Sequence, residues 1–257
     1  MGRFATTAEF YEKYRPPYPA AFFRSVAQRL ALDKRHALID LGTGPGVLAL
    51  GFAQYVGRVV GVDPEPAMLA AASAAAARAG AEISFIEGRA EDLPDNILSF
   101  DMVTIGRALH WMDPKALGPV FARLVAPGGA IVICASFSAR DGSNPWLEDY
   151  DAARRRWSNQ DLLAGSRKGE HAHRNPDDVL GPLGFGVVDA IMVEATHEVS
   201  AADLAQRVLT FSSSSPAALG DKAEAMLADI EARLLPFSRD GVLPERLVAA
   251  ASVARRR

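Results

Sequence analysis

The run Leu38-Ile39-Asp40-Leu41-Gly42-Thr43-Gly44-Pro45-Gly46-Val47-Leu48 constrains this chain more than any other stretch. Its first residues suit a buried strand, glycine then recurs at every second position, and Val47 to Phe52 is apolar enough to start a helix. Glycine opens backbone angles closed to other residues and lets a ligand lie against the main chain with no Cβ in the way. A helix starting there points unpaired N–H groups and the positive end of its dipole into the same space. Strand, glycine loop and helix together predict a nucleotide-sized cradle.

Spacing alone leaves two readings. Gly44-Pro45-Gly46-Val47-Leu48-Ala49 fits the G-x-G-x-x-A pattern of dinucleotide folds, and it fits equally a tight strand-to-helix turn with no ligand. Asp40 sets a negative charge where a diphosphate would be repelled and an amine or other cation attracted. Arg58-Val59-Val60-Gly61-Val62-Asp63 reads as a second strand ending in a carboxylate. An acid about 20 residues beyond the loop suits hydrogen bonds to ribose hydroxyls. The two acids predict a ligand with a ribose and without a pyrophosphate.

Asp40-Leu41-Gly42-Thr43-Gly44-Pro45-Gly46 followed by Gly61-Val62-Asp63-Pro64 resembles the first two motifs of class I S-adenosylmethionine-dependent methyltransferases. Ala108-Leu109-His110-Trp111, after the fourth expected strand, is similar to a segment of their small-molecule members. The resemblance implies an α/β fold: a Rossmann-like seven-stranded sheet, mostly parallel with a C-terminal antiparallel strand, helices on both faces and a helical lid insertion. It covers nearly the whole chain, as one domain over 1–257. Within it fall an N-terminal lid and helix (1–35), a cofactor-binding core (36–137), a helical insertion (138–182) and C-terminal strands and helices (183–257).

At 257 residues the chain can bury one large α/β core. Its formal net charge of -3 supplies no basic face for nucleic acid, and the closing Arg255-Arg256-Arg257 reads as a solvated tail. The single cysteine, Cys134, excludes an intramolecular disulfide and a cysteine-rich metal site. It lies in Ile131-Val132-Ile133-Cys134-Ala135, where a buried thiol is inert. The N-terminus shows no apolar signal core, and Ala67 to Ala79 is too weakly hydrophobic to span a bilayer. The expectation is a cytoplasmic protein, monomer or homodimer, that engages neither nucleic acid nor membrane.

Along the chain, Phe4 to Pro19 is aromatic and proline-punctuated, either an arm packed on the domain or a lid. Pro19 to Leu32 carries Phe22, Phe23, Val26 and Leu30 at helical spacing. Ile83 to Glu87 is a third strand, Phe100 to Gly106 a fourth, Pro114 to Leu124 a helix, Pro127-Gly128-Gly129 a turn and Ala130 to Ala135 a fifth strand. Composition shifts after Ser136. Ser138 to Asn175 brings Trp146, Tyr150, Trp157 and Arg154-Arg155-Arg156, a helical insertion in which one inward arginine could hold a substrate carboxylate. His171 and His173 lack a third ligand nearby, so no metal site is expected. Gly184 to Val199 is the sixth strand, Ala201 to Phe211 and Ala217 to Leu235 are helices, and Arg246 to Ala254 the last strand.

The resemblance implies S-adenosylmethionine as cofactor and methyl transfer to a small-molecule acceptor by in-line displacement. Holding the acceptor behind the methyl supplies on the order of 7–11 kcal/mol, whereas a general base adds about 10²–10⁴-fold. No catalytic triad is therefore required. Implied cofactor residues are Asp40 at the ammonium, Gly42, Gly44 and Gly46 along the methionine half, Asp63 at the ribose, Ala90 and Glu91 at adenine, and with them Thr43, Pro64, Met68 and Arg107. Arg89 stands where the family often has an aspartate, so the adenine amine falls to Glu91 or Asp92. His110 is the candidate base or acceptor-orienting residue, and it fits equally as a packing histidine. Tyr11 and Tyr14 line the pocket from above. Two other readings stand beside this one: an NAD(P)-dependent oxidoreductase, and a cofactor-binding protein without methyl transfer.

Overall fold

The computed structural model describes residues 13–161 and 175–257. Tyr11, His171 and His173 lie outside the described residues. The seven strands are β1 (Ala37–Leu41), β2 (Arg58–Asp63), β3 (Ser84–Glu87), β4 (Phe100–Gly106), β5 (Val125–Ser138), β6 (Phe185–Ser200) and β7 (Val242–Arg256). They form one sheet in the order β3-β2-β1-β4-β5-β7-β6. β1 pairs in parallel with both β2 and β4, β2 with β3, and β4 with β5. The last two pairings run antiparallel. Arg255 bonds the Gly128 carbonyl while the Ala139 amide bonds Arg246, so β7 descends as β5 climbs. Likewise the Arg257 amide meets Gly184 and Glu245 meets His197.

The burial patterns explain the split. β1 and β2 are buried at nearly every position, as strands covered on both faces must be. β6 alternates half-buried and exposed residues for most of its length, the signature of a strand with one wet face. The expected Pro127-Gly128-Gly129 turn lies inside β5. Ladder partners jump from Phe100–Val125 to Met102–Ala130, so residues 126–129 bulge out without ending the strand.

Cα proximity divides the chain into two compact units. One comprises 18–135, 170–193 and 249–257. It holds β1 to β4 with helices α1 (Ala20–Arg29), α2 (Val47–Ala53), α3 (Pro66–Ala79), α4 (Pro114–Leu124) and the short α6 (Pro176–Leu180). Tyr18, Phe22, Phe23 and Phe52 form an aromatic cluster under α1 and α2, with Phe23 edge-on to Phe52 at 5.0 Å. α3 starts on Pro66 and stops on Gly80 in the left-handed conformation, as a helix with proline in its first turn and glycine past its end should. Its alanines let it approach the glycine loop closely.

The other unit comprises 1–17, 136–169 and 194–248. Its helices are α5 (Leu147–Trp157), α7 (Ala201–Gln206), α8 (Pro216–Leu219) and α9 (Ala223–Leu234). The expected helix Ala201 to Phe211 gives way to a 3-10 turn at Arg207, and the expected Ala217 to Leu235 helix is broken at Gly220, whose φ is 54°. A core of Trp146, Tyr150, Leu204, Val208, Met226 and Ile230 holds these helices together. Glu245, fully buried, accepts both Arg207 terminal nitrogens at 2.6 and 2.8 Å, the Ser138 hydroxyl at 2.6 Å and the His197 ring at 2.8 Å.

Candidate active site

The sheet order reverses between β1 and β4, and in open α/β sheets ligands bind at the carboxyl ends of strands beside such a reversal. The glycine loop sits there. Gly42, Gly44 and Gly46 have φ of 68°, 54° and 85°, left-handed angles that cost an L side chain about 1–2 kcal/mol. Their surroundings differ. A Cβ on Gly42 would stand 2.5 Å from Ala108 Cβ, and one on Gly46 would stand 3.1 Å from Ala72 Cβ on α3. A Cβ on Gly44 would meet nothing within 4 Å. Gly42 and Gly46 thus allow protein to pack on protein, and Gly44 presents an open face.

Asp40 lies beneath this loop, buried at the end of β1. Its two oxygens each accept a hydroxyl at 2.7 Å, from Thr43 in the loop and from Thr104 on β4. Burial pushes its carboxyl from 3.8 to about 6, against the pull of those hydroxyls and of the Ala49 amide. Each Asp40 oxygen thus accepts one hydroxyl, and the carboxylate brings its buried charge to the underside of the loop. Thr104 is a site residue that the motif pattern missed; a threonine inside an apolar strand was the available signal.

Asp63, at the end of β2, is also buried. The Gly44 amide donates to one of its oxygens at 2.8 Å and the Glu65 amide to the other at 3.0 Å. A carboxylate has about four acceptor positions, so this one is held rigidly with capacity to spare. Burial raises its pKa, the two amides opposing. Pro64 beside it is exposed, and Met68 is buried in the first turn of α3.

Beyond β3, Ala90 opens a 3-10 turn and is buried. Glu91 is half-buried; its carboxylate accepts the Asp113 amide at 2.7 Å and lies 3.6 Å from Arg89. Asp92 is exposed. At the end of β4, Arg107 adopts φ 57°, a left-handed angle at a bulky residue, and its guanidinium lies 5.1 Å from the centre of the Tyr18 ring. Strain of this kind concentrates at ligand sites. Tyr18, whose hydroxyl would sit 3.7 Å from a Cβ on Gly106, is a second residue that motif reading overlooked. His110 follows in a 3-10 turn, half-buried, with its ring 4.8 Å from that of Trp111. Cys134 is buried and its thiol is pushed well up, first by desolvation and then by Asp40.

The structure therefore brings Asp40, Thr43, Gly44 and Asp63 into one bonded set, with Ala108 against Gly42. Tyr14 belongs to the other unit, where its carbonyl accepts Arg207 Nε at 2.7 Å.

Residues 38–129 match the family model described as a methyltransferase domain. The matched stretch takes in the glycine loop, Asp40 and Asp63. An uncharacterized methyltransferase of Mycobacterium tuberculosis is 33% identical over 146 residues, covering 57% of this chain and 56% of the relative. The chain thus spans about half the length of the curated relatives it matches. Among solved structures, a candidate type II methyltransferase from Anaeromyxobacter dehalogenans superposes with a TM-score of 0.63 at 23% identity, covering 95% of this chain and 98% of the other. A Geobacter sulfurreducens methyltransferase in complex with S-adenosylhomocysteine gives 0.55 at 19% identity, covering 99% and 98%. These structural likenesses concern the fold.

The glycine loop and its two acids fit S-adenosylmethionine. The open face of Gly44 accepts a chain laid along the loop, Asp63 retains acceptor capacity for a diol, and the buried charge of Asp40 favours a cation. Among the described residues no group of acids, histidines or cysteine is placed to hold a metal ion, and no helix is long and apolar enough to cross a membrane.

Proposed function

We propose that this chain transfers a methyl group from S-adenosylmethionine to a small-molecule acceptor. The observation that carries the reading is the pair formed by the open Gly44 face and the buried Asp63 carboxylate bonded to the Gly44 amide. When bound, S-adenosylmethionine supplies a methyl group already activated on a sulfonium. The chain's own residues bind and orient. Asp63 takes the ribose hydroxyls, Gly42 to Gly46 with Thr43 line the methionine half, Pro64, Met68 and Ala90 flank the adenosine, and Arg107 closes the edge at β4. Asp40 contributes a compensating negative charge from below. Glu91 faces adenine beside Ala90 and also holds the Asp113 amide. His110 orients the acceptor or takes its proton. Most of the acceleration comes from alignment and exclusion of water rather than proton transfer.

An NAD(P)-dependent reading is disfavoured because a diphosphate on this loop would face Asp40, a desolvated carboxylate. The two are separated by ligand-induced thermal shift. S-adenosylhomocysteine at about a hundredfold over its Kd should stabilise by about 2.7 kcal/mol, or roughly 5–10 °C for a domain of this size. NAD should give none. Asp63→Ala should remove most of the shift; an unchanged shift in that variant, or stabilisation by NAD, would refute the assignment.

A further inference from the structure

Asp40 and Thr104 are partners in the register of β1 and β4, so their side chains stand side by side on one face of the sheet. Both are buried, Thr104 completely and Asp40 to 1% exposure. The Thr104 hydroxyl donates to Asp40 Oδ1 and the Thr43 hydroxyl to Oδ2, each at 2.7 Å. The two donors differ in footing. Thr43 belongs to the glycine loop, its amide donating to the Val62 carbonyl at 2.9 Å and its carbonyl accepting the Gly46 amide at 3.0 Å. Thr104 sits in mid-strand between Asp40 on β1 and Val132 on β5, so its hydroxyl is fixed by the sheet rather than by the loop.

A buried carboxylate is ordinarily paired with a cation or gives up its charge. Among the described residues Asp40 takes part in no ion pair. The titratable groups that face it offer no help. Asp63 on β2 repels its charge. Cys134 on β5 is a thiol pushed well up by desolvation and then by Asp40 itself, with Arg107 acting on that thiol from the end of β4. Desolvation, aided by Asp63, drives Asp40 towards its neutral form, to about 6, while the Thr43 and Thr104 hydroxyls and the Ala49 amide oppose the drift. Hydrogen bonds to a charged form favour that form.

We infer that Thr104 is a positioning residue for cofactor binding: its hydroxyl keeps the Asp40 carboxylate charged and aimed beneath the glycine loop, and so sets how far into acid the loop holds S-adenosylmethionine. This rests on the proposed methyl-transfer reading, in which the ligand brings a cation to that charge. Protonated Asp40 has no charge to offer, so affinity is full above its titration and falls as pH drops through it. Taking away one of the two hydroxyls makes the carboxylate easier to protonate and moves that fall to higher pH.

The test is calorimetric titration of S-adenosylhomocysteine, which keeps the ammonium, into the full chain at half-unit steps from about pH 5 to pH 8.5. The parent should bind with constant affinity at the alkaline end and lose affinity below about pH 6. Thr104→Val, of the same shape, and Thr104→Ala, which is smaller, both lack the hydroxyl. Each should carry the loss about one pH unit higher while matching the parent at the alkaline end. Thr104→Ser should restore the parent profile, and in an Asp40→Asn background Thr104→Val should move nothing. A parent whose affinity is the same at every pH overturns the inference and leaves the methyl-transfer reading intact; a parent that binds at no pH removes that reading and the inference with it. Hydroxyl-free variants that weaken binding equally at every pH, or a serine variant that behaves like them, reduce Thr104 to packing and overturn the inference.

Discussion

Asp40→Asn should make the protein more stable at neutral pH while weakening its hold on the cofactor. The native carboxyl is shifted from 3.8 to about 6, chiefly by desolvation. At 1.36 kcal/mol per pH unit, ionising it inside the fold costs about 3 kcal/mol relative to the unfolded chain. The native state binds the proton more tightly, so this contribution is intact below about pH 4, falls as pH rises through 6, and is fully lost above. Asparagine is nearly isosteric, and the Thr43 and Thr104 hydroxyls, now 2.7 Å from the carboxylate, can accept from its amide as readily as donate to its carbonyl. Allowing for imperfect reorientation, the gain at pH 7–8 should be about 1–3 kcal/mol. Urea denaturation of both proteins at half-unit steps from pH 4 to 8 reads the difference directly; comparing the pair cancels the other titrating groups. The gain should shrink towards zero by about pH 4. A variant less stable than the parent throughout this range, or a difference that does not vary with pH, would refute the claim that Asp40 is held ionised at a cost.

The two loop glycines separate packing from binding: Gly42→Ala should lose about 2–4 kcal/mol, from the left-handed angle and the 2.5 Å approach to Ala108. Gly44→Ala should lose only about 1–2 kcal/mol yet bind S-adenosylhomocysteine much more weakly, as calorimetry on both variants would show. Glu245→Gln leaves the Arg207 guanidinium buried without its counter-charge and should lower the free energy of unfolding by about 3–5 kcal/mol, measurable by chemical denaturation. His110→Ala should reduce the turnover of labelled-methyl transfer by about 10²-fold or more if it acts as a base, with cofactor affinity nearly unchanged; full turnover would end that role.

Much of the sheet was legible because local chemistry and burial agree in it. Leu38 to Leu41 and Val59 to Val62 are almost wholly apolar and buried on both faces, as a covered parallel strand must be, and both strands appear within a residue of expectation. The helix Pro114 to Leu124 matches at both ends because Asp113 caps it and Pro114 starts it. Signals failed where a boundary depends on partners distant in the chain. The bulge at 126–129 keeps β5 continuous through a Pro-Gly-Gly that reads locally as a turn, because β4 resumes its ladder at Ala130.

By itself the sequence determined that a strand, a glycine loop and a second acid-ended strand would recur in the order of a nucleoside cradle. That order is written in backbone angles that few other residues can adopt. Tertiary structure decided what each acid does. Asp40 and Asp63 look alike in a motif, yet one accepts two hydroxyls, from the loop and from β4, and the other accepts two backbone amides. It also decided that Glu91 braces Asp113. Burial and the identity of a hydrogen-bond partner depend on which strands and helices meet, and no local pattern carries that information.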